Sequence, residues 1–163
     1  MTGKNLTVTM DVTQSPQRVF ECISRVTEWW SKDFEGKSKN LDDVFTIHHP
    51  GQHYSKQKLV ESIPNKKLAW LVTESKLSWL KNDKQEWTNT KMIFEITNSN
   101  GITHLQFTHE GLTPEKECYE MCEKGWTTII KSWLLHLIVS GTESPEMVKA
   151  AEMRDQMLRE NNR

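Results

Sequence analysis

The chain has 163 residues, 36% hydrophobic and 26% charged, with a formal net charge of −1. That length fits one domain whose core needs no disulfide staples, and the charge balance lacks the basic footprint of a nucleic-acid binder, so no nucleic-acid partner is expected. No stretch approaches the ~18 apolar residues that a bilayer crossing requires, so no membrane partner is expected either.

Met1–Asn5 run directly into a strand pattern, and no signal peptide is expected. Cys22, Cys118 and Cys122 are odd in number, sit in helix-like segments and form no CxxC pair. They read as reduced core thiols of a cytoplasmic protein that uses no metal and no cofactor. Seven tryptophans compensate for a modest apolar share, since each buries roughly 150–250 Å² when packed.

Leu6, Val8, Met10 and Val12 alternate with polar residues and predict a half-buried first strand. Ser15-Pro16 is a cap followed by proline at the first helical position, and Val19, Phe20, Ile23 and Val26 continue at helical spacing to Trp29-Trp30. This predicts one helix, or two short pieces. Residues 31–43 have no period and read as a loop. Phe45, Ile47 and His49 share one phase of a short strand that Pro50-Gly51 ends.

A strand with blurred alternation is expected from Tyr54 to Ile63, and another carries Leu68, Trp70 and Val72 in phase. Glu74–Gln85 is lysine-rich and reads as an extended hairpin tip that holds Trp79. Thr90, Met92, Phe94 and Ile96 alternate clearly. After the Asn98–Gly101 turn, Thr103, Leu105, Phe107 and His109 do the same. Strands joined by such short turns must pair antiparallel.

Thr113-Pro114-Glu115 repeats the cap-then-proline device and predicts the start of the longest helix, about 27 residues and roughly 40 Å. Its stripe is Cys118, Cys122, Trp126, Ile129, Ile130, Trp133 and Leu137, with Gly141 as the stop. Ser144-Pro145 opens a last helix with a weak stripe of Met147, Ala151 and Leu158, before the polar end Asn161–Arg163. The expected fold is therefore α+β, a curved six-stranded antiparallel sheet wrapped around a long C-terminal helix, with a short helical segment after strand 1. A sheet with one apolar face needs a cover, and the gap beneath one helix is a natural cavity lined by aromatic residues.

Several segments resemble a known family. Ser15–Phe20 is similar to the "SPxxVW" start of START-like (SRPBCC) proteins, with Trp29-Trp30 matching the tryptophan after their first helix. Val60–Pro64 with Leu68 and Trp70 resembles their "VxExxPxxxLxW" hairpin. Thr103–Leu112, followed by Gly125-Trp126, resembles "TxLxxxxxGL" and then "GW". The nearest subgroup resembles the C-terminal domain of activators of the heat-shock protein 90 ATPase, over residues 6–140. The resemblance implies a helix-grip fold, with the START-like domain at 1–141 and a C-terminal helical extension at 142–163. The Gly-Gly strand of relatives is not evident, the 74–86 hairpin is longer, and no counterpart of such co-chaperones' separate N-terminal domain is expected.

Residues expected to line the cavity and hold a ligand are His49, Trp70, Met92, Phe94, Phe107, His109, Trp126, Ile130 and Trp133. For each aromatic the competing reading is plain core packing, and for each histidine a bonded core or rim residue. His48 and His49 are adjacent on a strand and point to opposite faces, so the cluster with His53 offers no zinc spacing. No serine elbow, phosphate-binding glycine loop or catalytic carboxylate pair is present.

The leading expectation is a binding module for a small hydrophobic or amphipathic molecule. The alternatives are a protein-interaction role with a chaperone, through Trp79 and the Met-bearing tail, and a cyclase-type enzyme that uses His49 and His109.

Overall fold

Leu6, Val8 and Val12 of β1 (Leu6–Val12) turn inward while Thr7 and Thr9 stay exposed, as their alternation predicts. The computed structural model describes residues 4–161, without the side chains of Leu158 and Asn161. Leu158, expected in the last helix's stripe, thus lies outside the described side chains, as do the expectations for residues 1–3, 162 and 163.

α1 (Pro16–Ser24) begins as predicted, with the Ser15 hydroxyl accepting from the Arg18 N–H at 3.2 Å and proline in the first turn. It ends at Arg25, and a separate 3-10 turn, Val26–Glu28, carries the chain to Trp29-Trp30. The two pieces are the broken alternative of the sequence reading.

Seven strands form one antiparallel sheet in the order β1-β7-β6-β5-β4-β3-β2, against the six expected. The addition is β2 (Phe34–Gly36), three residues inside the segment read as loop. Three residues are too few to show a period, yet Gly36 marks the strand. Its φ is +113°, and a Cβ there would sit 2.2 Å from the Val44 carbonyl oxygen of β3 (Val44–His49). β4 (His53–Ile63) pairs with β5 (Lys67–Leu77) across two register shifts. Its alternation is blurred because two of its inward positions are the polar Ser55 and Gln57. β6 (Lys91–Ser99) and β7 (Ile102–Glu110) form the regular hairpin, and β7 then receives β1.

The segment after β5 is a folded loop where the sequence suggests a projecting tip. β5 runs on to Leu77, and the chain then returns, with Leu77 N–H bonded to the Lys84 carbonyl and Asn89 N–H to the Val72 carbonyl, both at 2.8 Å. Leu80 and Trp87 from this loop are buried, and their burial is what folds it back.

The long helix starts at Tyr119, five residues beyond Pro114. Thr113–Lys116 form a turn, and the cap comes from elsewhere: the Glu86 carboxylate accepts from the N–H groups of Glu117 and Cys118, each at 3.0 Å. Glu117 in turn accepts from Lys81 and Asn82, which holds its carboxyl below the usual range. The helix runs as α2 (Tyr119–Thr128), a π turn (Ile129–Leu134) and α3 (Leu135–Ser140), and Gly141 in the left-handed conformation ends it. The π turn adds a residue to one turn, so the buried face passes from Trp126 and Ile130 to Leu134, Leu137 and Ile138. Trp133, expected in that stripe, is turned to a half-buried position. α4 (Pro145–Asn161) follows, docked through Met147 and through Arg154 beside Asp33.

Because the cap is supplied by Glu86, Glu86→Ala is expected to cost about 1–2 kcal/mol in urea unfolding, and Thr113→Ala less than about 0.5. The reverse order would return the helix start to Thr113.

Candidate functional site

The strands place one set of side chains between sheet and helix. β6 contributes Met92 and Phe94, and β7 contributes Phe107 and His109, paired as Met92↔His109 and Phe94↔Phe107. β5 adds Trp70, α2 adds Trp126, and the π turn adds Ile130. All seven are at most 2% exposed, and the six apolar ones belong to one hydrophobic core. The rings of Phe107 and Trp126 meet at 4.6 Å, Phe94 and Phe107 at 5.0 Å, and Trp70 and Phe94 at 5.0 Å.

Two of the nine expected residues stand apart. His49 lies at the far end of β3, and Trp133 makes no ring contact with the others among the described residues.

Three tryptophans that sequence reasoning left out of the set complete the interior. Trp29 and Trp30 are both buried because the 3-10 turn delivers them inward together, and Trp30 packs on Trp70 at 6.1 Å and Trp126 at 5.1 Å. Trp87 stacks on Trp126 at 5.9 Å. The Trp29-Trp30 doublet was a visible signal, whereas Trp87 sits among polar neighbours that imply exposure.

These rings occupy the space between sheet and helix. The large clefts lie outside it. One of about 840 Å³ runs between Ser15–Gln17, the Ile63–Lys67 turn and the end of β6, and another of about 780 Å³ lies between Glu28, Gly141–Glu143 and α4. Neither is lined by any of the nine residues.

His109 sits in a closed relay. The Trp126 indole N–H donates to His109 Nδ1 at 3.1 Å, and an indole can only donate, so the ring proton is on Nε2. Nε2 donates to Thr90 Oγ1 at 2.8 Å, and that hydroxyl donates to the Trp87 carbonyl at 2.5 Å. Burial alone lowers the His109 pKa to about 3, so the ring is neutral.

A second polar group borders the same rings. His53 packs its ring on Trp87 at 4.9 Å, and its Nε2 lies 2.8 Å from Ser55 Oγ. His49 Nε2 lies 2.8 Å from Ser31 Oγ and 3.6 Å from Asp33 Oδ2, the same oxygen that Arg154 approaches at 3.6 Å. Burial, helped by the Arg154 charge, lowers the His49 pKa to about 4, while burial and the neighbouring histidines lower His53 to about 3. Among the described residues no group of three His, Cys, Asp or Glu is placed to hold a metal ion, and no helix is long and apolar enough to cross a membrane.

Ser55 and Gln57 of β4 are fully buried on the inner face. Gln57 Nε2 reaches the Phe45 carbonyl at 3.5 Å, but Gln57 Oε1 has no partner, and neither does Trp70 Nε1.

A family model described as "Activator of Hsp90 ATPase homolog 1-like protein" matches residues 13–134. No curated protein sequence matches the chain. Among solved structures, the Aha1 dimer from Colwellia psychrerythraea superposes with a TM-score of 0.66 at 19% identity, covering 83% of this chain and 96% of that one. Protein MLL2253 from Mesorhizobium loti gives 0.64 at 17% identity, over 85% and 99%. CalU16 from Micromonospora echinospora gives 0.59 at 14% identity, over 91% and 81%. These likenesses show the fold, an open antiparallel sheet with a long C-terminal helix.

The lowered His109 pKa sets the sign of an acid effect. The unfolded chain takes up this proton near 6.5 and the folded chain near 3, so stability is full above about 6.5 and declines as pH falls towards 3. Thermal unfolding should show His109 contributing about 1.4 kcal/mol of loss per pH unit in that window, and His109→Gln should be less acid-sensitive by that slope. An unchanged slope refutes a neutral buried ring.

Proposed function

The chain belongs to the Activator of Hsp90 ATPase homolog 1-like family, and on that premise we propose that it binds a small, mostly apolar molecule between sheet and helix. Trp70, Met92, Phe94, Phe107, Trp126 and Ile130 form the apolar wall, with Trp30 and Trp87 beside them. One observation carries the reading: an interior built largely of rings and aliphatics holds buried polar atoms with no partners, the Gln57 amide oxygen and the indole N–H groups of Trp70 and Trp87. Buried polar atoms in folded proteins are nearly always satisfied, by protein, water or ligand. Apolar walls with a few placed polar groups are also how ligand sites are built. Because rings fill this space, binding requires one of them to move, and Trp30, packed on Trp70 and Trp126, borders the site.

His109 is unsuited to acid–base catalysis on this reading, because both ring nitrogens are engaged and the ring is fully buried. The test is a thermal-shift screen against apolar metabolite and lipid extracts, with native mass spectrometry of any hit. A ligand at a hundredfold its Kd adds about 2.7 kcal/mol, or roughly 5–10 °C for a domain of this size. No shift and no bound mass across the extracts would falsify the proposal.

A second reading has its own observation. Trp79 is 44% exposed on a loop that is held firmly, with Glu117 gripping the Lys81 and Asn82 N–H groups and the Lys84 ammonium bound to the Ser78 and Leu80 carbonyls. A rigid exposed tryptophan suits a protein contact, since little ordering is lost on docking. The partner is then a chaperone of the heat-shock protein 90 class. Added protein should raise that chaperone's ATPase rate, and Trp79→Ala should remove most of the stimulation while leaving thermal stability unchanged. A rate indifferent to the added protein ends this reading.

A further inference from the structure

Resting on the proposed interior site, we infer that the ligand carries a neutral group able both to donate and to accept a hydrogen bond, a hydroxyl or an amide, and that Gln57 and Trp70 read it. Gln57 faces inward on β4, opposite Phe45 on β3 and Val72 on β5. Its orientation follows from its one bond: Nε2 points at the Phe45 carbonyl, and the flipped amide would set two oxygens against each other. Oε1 is therefore an acceptor without a donor.

Trp70, opposite Leu59, is the next inward position along β5, and its ring meets Phe45 at 5.0 Å. Its Nε1 is a donor without an acceptor. A group that satisfies both must accept from the indole and donate to the amide oxygen. A hydroxyl or an N–H/C=O pair does this; an ether or ketone only accepts, and a carboxylate also only accepts.

Charge points the same way. The buried polar residues of the described chain are serines, threonines, Gln57 and His109, with no lysine or arginine among them. A carboxylate brought beside Gln57 would lose its hydration without gaining a cation, a cost that a neutral group avoids. Nothing in this part of the interior favours an anion.

Three probes of one shape separate the possibilities: naphthalene, 2-naphthol and 2-naphthoate, titrated into the full chain at pH 7.5 and followed by tryptophan fluorescence. The expected order is 2-naphthol about tenfold tighter than naphthalene, with 2-naphthoate weakest. Gln57→Leu, which keeps the volume and removes the orphan oxygen, should bring the naphthol-to-naphthalene ratio close to one without weakening naphthalene. Trp70→Phe should narrow the ratio independently, which guards against misfolding of either variant.

If 2-naphthoate binds as well as 2-naphthol, or if the preference survives Gln57→Leu, the inference is wrong while the interior site stands. If none of the three binds, the interior site itself is wrong.

Discussion

The relay through His109 holds the molecule's main interface together. It joins α2 through Trp126, β7 through His109, and the end of the returning loop, just before β6, through Thr90 and the Trp87 carbonyl. Three stretches of chain, around Trp87–Thr90, His109 and Trp126, are fixed by three hydrogen bonds. Such a chain is strong because of what its failure leaves behind. An unsatisfied buried donor or acceptor costs about 1–3 kcal/mol, so no single link can open cheaply. The rings of Phe107, Trp87 and Trp126 then pack around the relay at 4.6–5.9 Å and keep water from it. The helix lies where it does because Trp126 is both a packing surface and the first donor of this chain.

What could be read from the residues, and what could not, follows the range of the interactions responsible. Local rules succeeded where the chain supplies its own answer: the Ser15 cap, the alternation in β6 and β7, the left-handed Gly141 stop, and the strand order set by short turns. The family, too, was legible in the ordered motifs from Ser15 to Trp126.

Local rules failed where the answer comes from a distant residue. Thr113-Pro114 has the form of a helix start, but Glu86, some thirty residues upstream, occupies the donors first. A period of 3.6 placed Trp133 inward, and one π turn moved that role to Leu134. β2 was too short to carry a period. Trp87 was hidden by polar neighbours, because its burial depends on the return of a loop that no local pattern announces. Ser55 and Gln57 blurred β4 because they are polar and face inward.

That blurring is itself informative. A strand built only for packing would place aliphatic residues at the inward positions of β4, as β6 does with Met92 and Phe94. Replacing a buried, half-satisfied amide with a leucine is close to neutral or favourable for folding, since the apolar side chain needs no partner. Local violations of the folding rules in natural proteins concentrate where the sequence serves something besides stability.

The interior illustrates the contrast. Within the His109 relay every polar atom is paired, and folding alone explains that arrangement. Beside it, Gln57 Oε1 and the indole N–H groups of Trp70 and Trp87 are buried with no partner supplied by the chain. Stability accounts for the relay and not for these orphan atoms, and that difference is what favours the proposed reading of β4 and β5 over one built on the histidine that its position in the strand makes most conspicuous.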